Sequence, residues 1–303
     1  YVHENNKKTH GYRYADEKWV AITELDLKNK YQKKPKKFHV FNFNVLFELY
    51  DKDGYLKSMD RFDKTMELLR DQYVKKKIHV FTLQEVTDTF IEKLKAQDWV
   101  QKNFILSHIT VKDTTKVEYG QLIMTRLLAR EFKFNFLSGY KFALLANFSF
   151  EIQKEERLQS KYFDITVATI HLSSSVTSNS IQRRWDQSER LFKMFNKKKE
   201  VIITGDFNLE NDEDQFDIHQ YSFIDVFETM YPNEKGYTFD PVTNPTAFEL
   251  SKSQLCRRFD RFLMKTMSFS PKTIQILDKN EMKNYVVPNG KKGLFPSDHY
   301  PIK

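Results

Sequence analysis

The amino-acid sequence predicts an α/β fold, and three observations point to it. From Phe38 onward, short apolar runs rich in Val, Ile, Phe and Thr recur along the chain, as buried strands require. Between them lie amphipathic segments whose apolar residues repeat every three or four positions, the helical period. Polar residues collect at the ends of the apolar runs, where strand gives way to loop.

In chain order, the first landmark is the basic stretch Lys28 to Lys37, with six lysines and no acid. It reads as a solvated connector, dividing an N-terminal appendage and connector (residues 1–37) from a domain over 38–303. Trp19 is expected to anchor the appendage to the core. Strands are expected at FHVFNFNVLF (38–47), IHVFTLQEV (78–86), QLIMTR (121–126), FDITVATIHL (163–172), EVIITGDFN (200–208) and FDRFLMK (259–265). Between the first two, Met59, Phe62, Met66, Leu69 and Tyr73 give a helix one apolar face. Ile181, Trp185, Leu191, Phe192 and Phe195 roughly repeat that pattern before the fifth strand. Both stripes are expected to be core.

Composition bounds the function classes. A chain of 303 residues, 40% hydrophobic and carrying 27 Phe and 15 Tyr, can bury a substantial core, which argues against extended disorder. Lys plus Arg exceeds Asp plus Glu by 49 − 41 = 8, a balance that favours anionic partners without choosing among nucleic acid, membrane surface and acidic protein. The single cysteine, Cys256, excludes an intrachain disulfide and a cysteine-rich zinc site. We therefore expect an intracellular protein, nuclear or cytoplasmic. No apolar run approaches the roughly 18 residues that span a bilayer, and YVHENNKKTHGYRY lacks the apolar centre of a signal peptide. A membrane is not an expected partner. Flanking domains outside this sequence are expected, since it opens on Tyr1 and stops soon after the last polar cluster.

The polar residues at the strand ends are Asn44, Glu85, His171, Asp206 with Asn208, Asp260, and Asp298 with His299. In a layered α/β protein such positions converge on one cleft while the scaffold stays rigid. Hydrolysis of a phosphodiester needs a hard cation, an activated water and donors for charge building on phosphorus. This set holds all three kinds of group. Magnesium prefers oxygen ligands and keeps several waters, so one or two carboxylates hold it, and Glu85 fits that role. Asp206 fits a base or water-positioning role, and Asn208, two residues on, points to the same side if the strand persists. His171 and His299 are donors to phosphate oxygens, and Asp260 is placed to orient one imidazole. His39, His79, His108 and His219 are read as structural, and the acidic run Glu210, Asp212, Glu213, Asp214, Asp217 as a solvated segment.

These residues sit in FNFN, LQEV, IHL, GDFN and SDH, five blocks whose order resembles the endonuclease/exonuclease/phosphatase superfamily over the chain from about Phe38 to its end. The resemblance implies a four-layer α/β/β/α sandwich of the deoxyribonuclease I kind, with its active site at one edge of two packed sheets. The later segments FIDVFETMYP, YTFD, CRRFDRFLMK and FPSDHY are most similar to type 2 tyrosyl-DNA phosphodiesterases and to modules of RNA-end-processing proteins. That likeness implies Asn44 and Glu85 at a Mg2+ ion (Mn2+ as substitute), Asp206 and Asn208 at nucleophile and phosphate, and Asp298 with His299 at the phosphate and metal shell. It also implies Asp260 buttressing His299, and a DNA or RNA end contacted by Tyr119, Phe239 and Arg258. Phe43 stands where many relatives place Trp or Tyr, Phe239 where the DNA-repair enzymes tend to carry Trp, and Glu210 where those enzymes tend to carry Arg. An RNA-processing nuclease or deadenylase on the same fold is the alternative, then a non-catalytic nucleic-acid-binding module.

Overall fold

The computed structural model describes residues 7–28, 30–115, 117–151, 162–175, 177–209, 216–290 and 293–303. The chain opens with short strands β1 (Lys7–Thr9), β2 (Tyr12–Ala15) and β3 (Lys18–Ala21), helix α1 (Glu24–Leu27) and strand β4 (Gln32–Lys33). Strand β5 (Val40–Asn44) leads through α2 (Ser58–Lys76) to β6 (Val80–Thr87). Then come α3 (Asp88–Lys95), α4 (Asp98–Asn103), β7 (Ile105–Leu106) and β8 (Tyr119–Thr125). A hairpin of β9 (Ala129–Ser138) and β10 (Lys141–Glu151) precedes β11 (Tyr162–His171), α5 (Ser178–Met194) and β12 (Val201–Asp206). The chain ends with β13 (Ile224–Asp225), α6 (Val226–Met230), α7 (Pro245–Ser251), β14 (Asp260–Lys265) and α8 (Lys279–Met282).

Parallel neighbours need a crossover, and the chain supplies it twice: α2 joins the parallel pair β5 and β6, and α5 joins β11 and β12. Each helix covers the outer face of its sheet. One sheet runs β1-β9-β10-β11-β12-β14-β13 with β4 beside β10, and the other runs β3-β2-β7-β8-β6-β5. Phe62, Met66 and Leu69 of α2 and Phe90 and Leu94 of α3 pack on Phe41, Phe81 and Leu122 of the second sheet. Leu191 and Phe192 of α5 pack on Leu145, Ala168 and Ile203 of the first. Val40, Val80, Val167, Ile202 and Phe262 fill the space between the sheets. The result is the four-layer α/β/β/α sandwich. Among the described residues no helix is long and apolar enough to cross a membrane.

The N-terminal segment shares in both sheets: β1 pairs with β9, β4 with β10, and β2 with β7. Trp19 packs against the second-sheet core, its indole nitrogen 3.4 Å from the Lys95 carbonyl. The helical stripes differ from expectation at their ends. Met59 is exposed, and so is Trp185, which meets Phe216 edge-on. The buried face of α5 runs instead through Arg184, Gln187, Ser188 and Leu191. Its polar members have partners: Arg184 donates to the carbonyls of Ser173 and Ser175, and Gln187 donates to Ser138 and Ser173. Together they fix the loop that follows His171.

The inward faces of five strands change character along their length. Val40, Asn42 and Asn44 alternate inward on β5; Val80, Thr82 and Gln84 do so on β6; Val167, Thr169 and His171 on β11; Ile202, Thr204 and Asp206 on β12; and Phe262 then Asp260 on the antiparallel β14. Each row runs from apolar to polar toward the same pole. The middle row is bonded within and between the sheets: Gln84 donates to Asn42 on the neighbouring β5 and to Thr169 on the facing sheet, and Thr204 donates to Thr82 across the same gap, all three at 2.8 Å.

Candidate active site

At the polar pole the rows open into a cleft of about 370 Å³ lined by Glu85, Tyr119, His171, Asp206, Asn208, Phe239, Asp298 and His299, with Phe47, Tyr50, Lys141, Leu255, Arg257 and Phe259 among the remaining wall residues. Asp206 ends β12 almost fully buried. It is paired with Asp260 and His171 across the ladders. Gly205 makes that ladder possible: its φ is +137°, and a Cβ there would stand 2.1 Å from the Ile170 carbonyl oxygen.

Two groups reach the cleft through left-handed backbone rather than strand alternation. Alternation would turn Glu85 outward, but the β6–β8 register shifts between Gln84 and Val86, and Glu85 takes φ +58° at this bulge. The strand does not persist to Asn208 as expected. It stops at Asp206, and Asn208 turns at φ +52°, its backbone N–H donating to Asp206 Oδ1 at 2.8 Å and its amide to the Leu172 carbonyl. Non-glycine residues in this conformation carry strain that a surrounding structure must hold.

Asn44 links the two carboxylates: its Nδ2 donates to Glu85 Oε1 at 3.1 Å and to Asp206 Oδ2 at 3.0 Å, while its Oδ1 accepts from Leu46 N–H. His171 Nε2 lies 3.8 Å from Glu85 and 3.7 Å from Asp206. His299 Nδ1 is 2.6 Å from Asp260 Oδ2, and its Nε2 is 3.8 Å from Asp206. Asp298 is half-buried on the same wall. Tyr119 stacks on Phe47 with centroids 4.8 Å apart, and Phe239 meets His299 edge-on. Asn44 and Asp260 do not line the cleft themselves but hold lining residues from behind, whereas Arg258 is not brought to the site. Its guanidinium pairs with Asp225 and Glu228, and the neighbouring Arg257 lines the cleft instead. His39, His79, His108 and His219 are not among the lining residues, and Glu210 lies outside the described residues.

Several positioning residues escaped the sequence reading. Asn42 donates to Asp260 Oδ1 at 3.2 Å from the buried row. Ser297 donates to the Asn44 carbonyl at 2.7 Å, and its oxygen accepts from His299 N–H. Arg61, fully buried on α2, donates to the carbonyls of Leu46, Leu56 and Pro296, joining the segment after β5 to the one before Asp298. The interdependence lies in tertiary contact, with Asn42 and Asp260 218 residues apart.

The electrostatics divide the two histidines. Burial, with Lys141 and His299 nearby, holds His171 well below the ordinary histidine pKa, so it stays neutral. Burial also opposes charge on His299, but Asp260, Asp298 and Asp206 outweigh it and hold its pKa well above the usual value. Glu85 is pushed up to about 7 by burial and then by the Asp298 charge. Asp206 is pushed up to about 6, by burial and Asp260 against the pull of His299. Among the described residues no three or more His, Cys, Asp and Glu side chains are grouped to close around a metal ion. The donor chemistry that is present, two mutually repelling carboxylates at an open cleft, fits a hard cation that keeps most of its waters.

The endonuclease/exonuclease/phosphatase family profile matches residues 41–299. No curated protein sequence matches the chain. Similar solved structures include D. rerio TDP2 complexed with single-strand DNA product, at 19% identity and TM-score 0.61, covering 88% of this chain and 98% of that one. C. elegans TDP2 is 17% identical with TM-score 0.62, covering 92% and 77%. The Bacteroides thetaiotaomicron mannosyl-6-phosphatase Bt3783 is 16% identical with TM-score 0.55, covering 88% and 98%. At these identities the likeness is one of fold. The profile match spans most of the chain and contains every cleft residue that the sequence put forward, and the chain belongs to the endonuclease/exonuclease/phosphatase family, whose members are hydrolases of phosphoester bonds.

Proposed function

We propose that the protein is a divalent-metal-dependent phosphodiesterase that hydrolyses a phosphate ester at a nucleic-acid end, with 5'-tyrosyl DNA as the first substrate to examine. The observation that carries this is the joint presence in one cleft of Asp206, bound by Asn44 and the Asn208 N–H, and of an imidazolium, His299, held by Asp260. Glu85 and Asp298 would hold Mg2+, which supplies positive charge to the phosphate oxygens when bound.

Asp206 fits the base. Both its oxygens accept hydrogen bonds, which fixes its orientation, and its raised pKa lies close enough to neutrality to take a proton from water. His299 donates its Nε2 proton to a phosphate oxygen, and Asp260 keeps it charged as negative charge builds. Neutral His171 offers one hydrogen bond without adding charge. Asn44 keeps the two carboxylates apart and aimed. Asn208 steadies Asp206 and the loop after β11.

The nucleic-acid end is supported by the excess of cationic residues, by Arg257 in the wall, and by exposed Tyr50 and Leu255, which border the cleft as surfaces for an unpaired base. The D. rerio protein of the same fold binds a single-strand DNA product. A panel of 5'-tyrosyl single-stranded DNA, a short RNA, an inositol phosphate and sphingomyelin, each with Mg2+ or with chelator, tests the proposal. Metal-dependent turnover of an oligonucleotide is expected. Preference for inositol phosphate or sphingomyelin would overturn the nucleic-acid assignment, and oligonucleotide binding without product or metal requirement would leave a binding module.

A further inference from the structure

A lysine held out of water without a partner costs stability, so buried ammonium groups normally meet a carboxylate or a carbonyl. Lys141 does neither. It opens β10 just after the hairpin turn, is 5% exposed and lines the cleft. Its Nζ makes no hydrogen bond or ion pair with the described residues. What it has is two ring faces, Tyr140 at 5.2 Å and Tyr119 at 5.7 Å from Nζ to centroid. Cation–π attraction is weaker than the cost of desolvating an ammonium. Burial lowers its pKa to about 8 against the pull of Asp206 and Glu85, which lie beyond ion-pair distance. Among the described residues, then, an ammonium without a hydrogen-bond or ion-pair partner stands at the cleft wall beside Tyr119 and His171.

We infer that Lys141 is an anion-binding residue, its ammonium receiving a non-bridging oxygen of a phosphate on the Tyr119 and His171 side of the cleft. Resting on the phosphoester reading given above, the anion is the substrate's own phosphate. Tyr119 and Tyr140 then act as a platform that aims the lysine, and the cleft grips phosphate from two places, Lys141 and His299. The proton inventory is unchanged, since Lys141 donates a hydrogen bond and transfers nothing.

The test uses Lys141→Met and Lys141→Arg in the Mg2+-loaded protein, with inorganic phosphate as the calorimetric probe and the hydrolysed oligonucleotide as the kinetic one. Lys141→Met should weaken phosphate binding by about 10–100-fold, the worth of one charge-assisted hydrogen bond. It should raise KM by a similar factor with little change in kcat, because the contact exists in ground and transition states alike. Its Tm should equal or exceed that of the wild type, since an unpaired buried charge has been removed. Lys141→Arg should retain most of the phosphate affinity. Unchanged phosphate affinity in Lys141→Met, no phosphate binding by the wild type, or a Lys141→Met protein that loses its fold while Lys141→Arg keeps it would each overturn the inference, the last by showing a structural cation. Phosphate binding lost in Lys141→Met, together with no turnover of any panel substrate by the wild type, would retain the anion site and remove the phosphodiesterase reading.

Discussion

His299 Nδ1 lies 2.6 Å from Asp260 Oδ2, with both side chains almost wholly removed from solvent. Without a carboxylate there, burial would drive the imidazole neutral; with it, and with Asp298 and Asp206 nearby, the ring carries its proton through neutral pH. Asp260→Asn should therefore leave His299 largely uncharged at pH 7.5 and lower kcat by roughly 10²-fold, within the range of a general acid or base. Activity should recover in part at lower pH, and the pH–rate profile reads this directly. A profile identical to the wild type would show that His299 does not act as the cation.

In the absence of a divalent ion, stability should depend on pH in a defined sense. Glu85 and Asp206 have folded pKa values of about 7 and about 6, above the values of 4.5 and 3.8 for free side chains. Protons are thus bound more tightly in the folded state, so this contribution is full below the free values and lost as pH rises through 6 to 7. In chelator, Tm should fall by a few degrees between pH 5 and pH 8, and Mg2+ should restore it most at the alkaline end. Thermal unfolding of the double variant Glu85→Gln, Asp206→Asn should show a flatter curve. A wild-type curve that is already flat would contradict the burial of these charges.

Gly205 sets the spacing of the two ladder partners that follow it, His171 and Asp206. Gly205→Ala places a methyl group 2.1 Å from the Ile170 carbonyl oxygen and forces an alanine to φ +137°. We expect a loss on the order of 3–5 kcal/mol, at the upper end for single substitutions, measured by denaturant unfolding. A loss near zero would mean that the β11–β12 ladder relaxes freely.

The two neighbouring arginines should behave oppositely. Arg258 pairs with Asp225, a buried residue that also caps α6, and Arg261 remains as a second partner. Arg258→Ala should cost about 1–3 kcal/mol of stability and leave KM nearly unchanged. Arg257→Ala, at the cleft wall, should lower kcat/KM by about ten-fold with little effect on Tm. The reverse pattern would return Arg258 to the substrate.

Much of the site was readable in the sequence because the strands that carry it are continuous apolar runs with a polar residue at one end. The expected strands at 200–208 and 259–265 become Val201–Asp206 and Asp260–Lys265. The β9–β10 hairpin was not read as strands, although Phe132, Phe134 and Phe136 alternate with Lys133 and Asn135 around the turn at Gly139. Asn42, Thr82 and Gln84 were passed over for another reason. A polar residue inside a strand has no local mark of importance, and their partners Asp260, Thr204 and Thr169 belong to the other sheet. Asn208 was placed on the cleft side by alternation, yet it arrives there through a turn. Lys141 has no sequence mark at all, because its significance is that its ammonium finds no hydrogen bond or ion pair among the described residues.

The most direct measurement is single-turnover hydrolysis of 5'-tyrosyl single-stranded DNA by wild type and Asp206→Asn, each with Mg2+ and with chelator. The substitution keeps shape and hydrogen-bonding reach but removes the carboxylate that Asn44 and the Asn208 N–H hold at the cleft. We predict metal-dependent cleavage by the wild type and a rate lower by roughly 10²–10⁴-fold in a folded variant. Equal rates for the two proteins, or wild-type cleavage indifferent to chelator, would contradict the account.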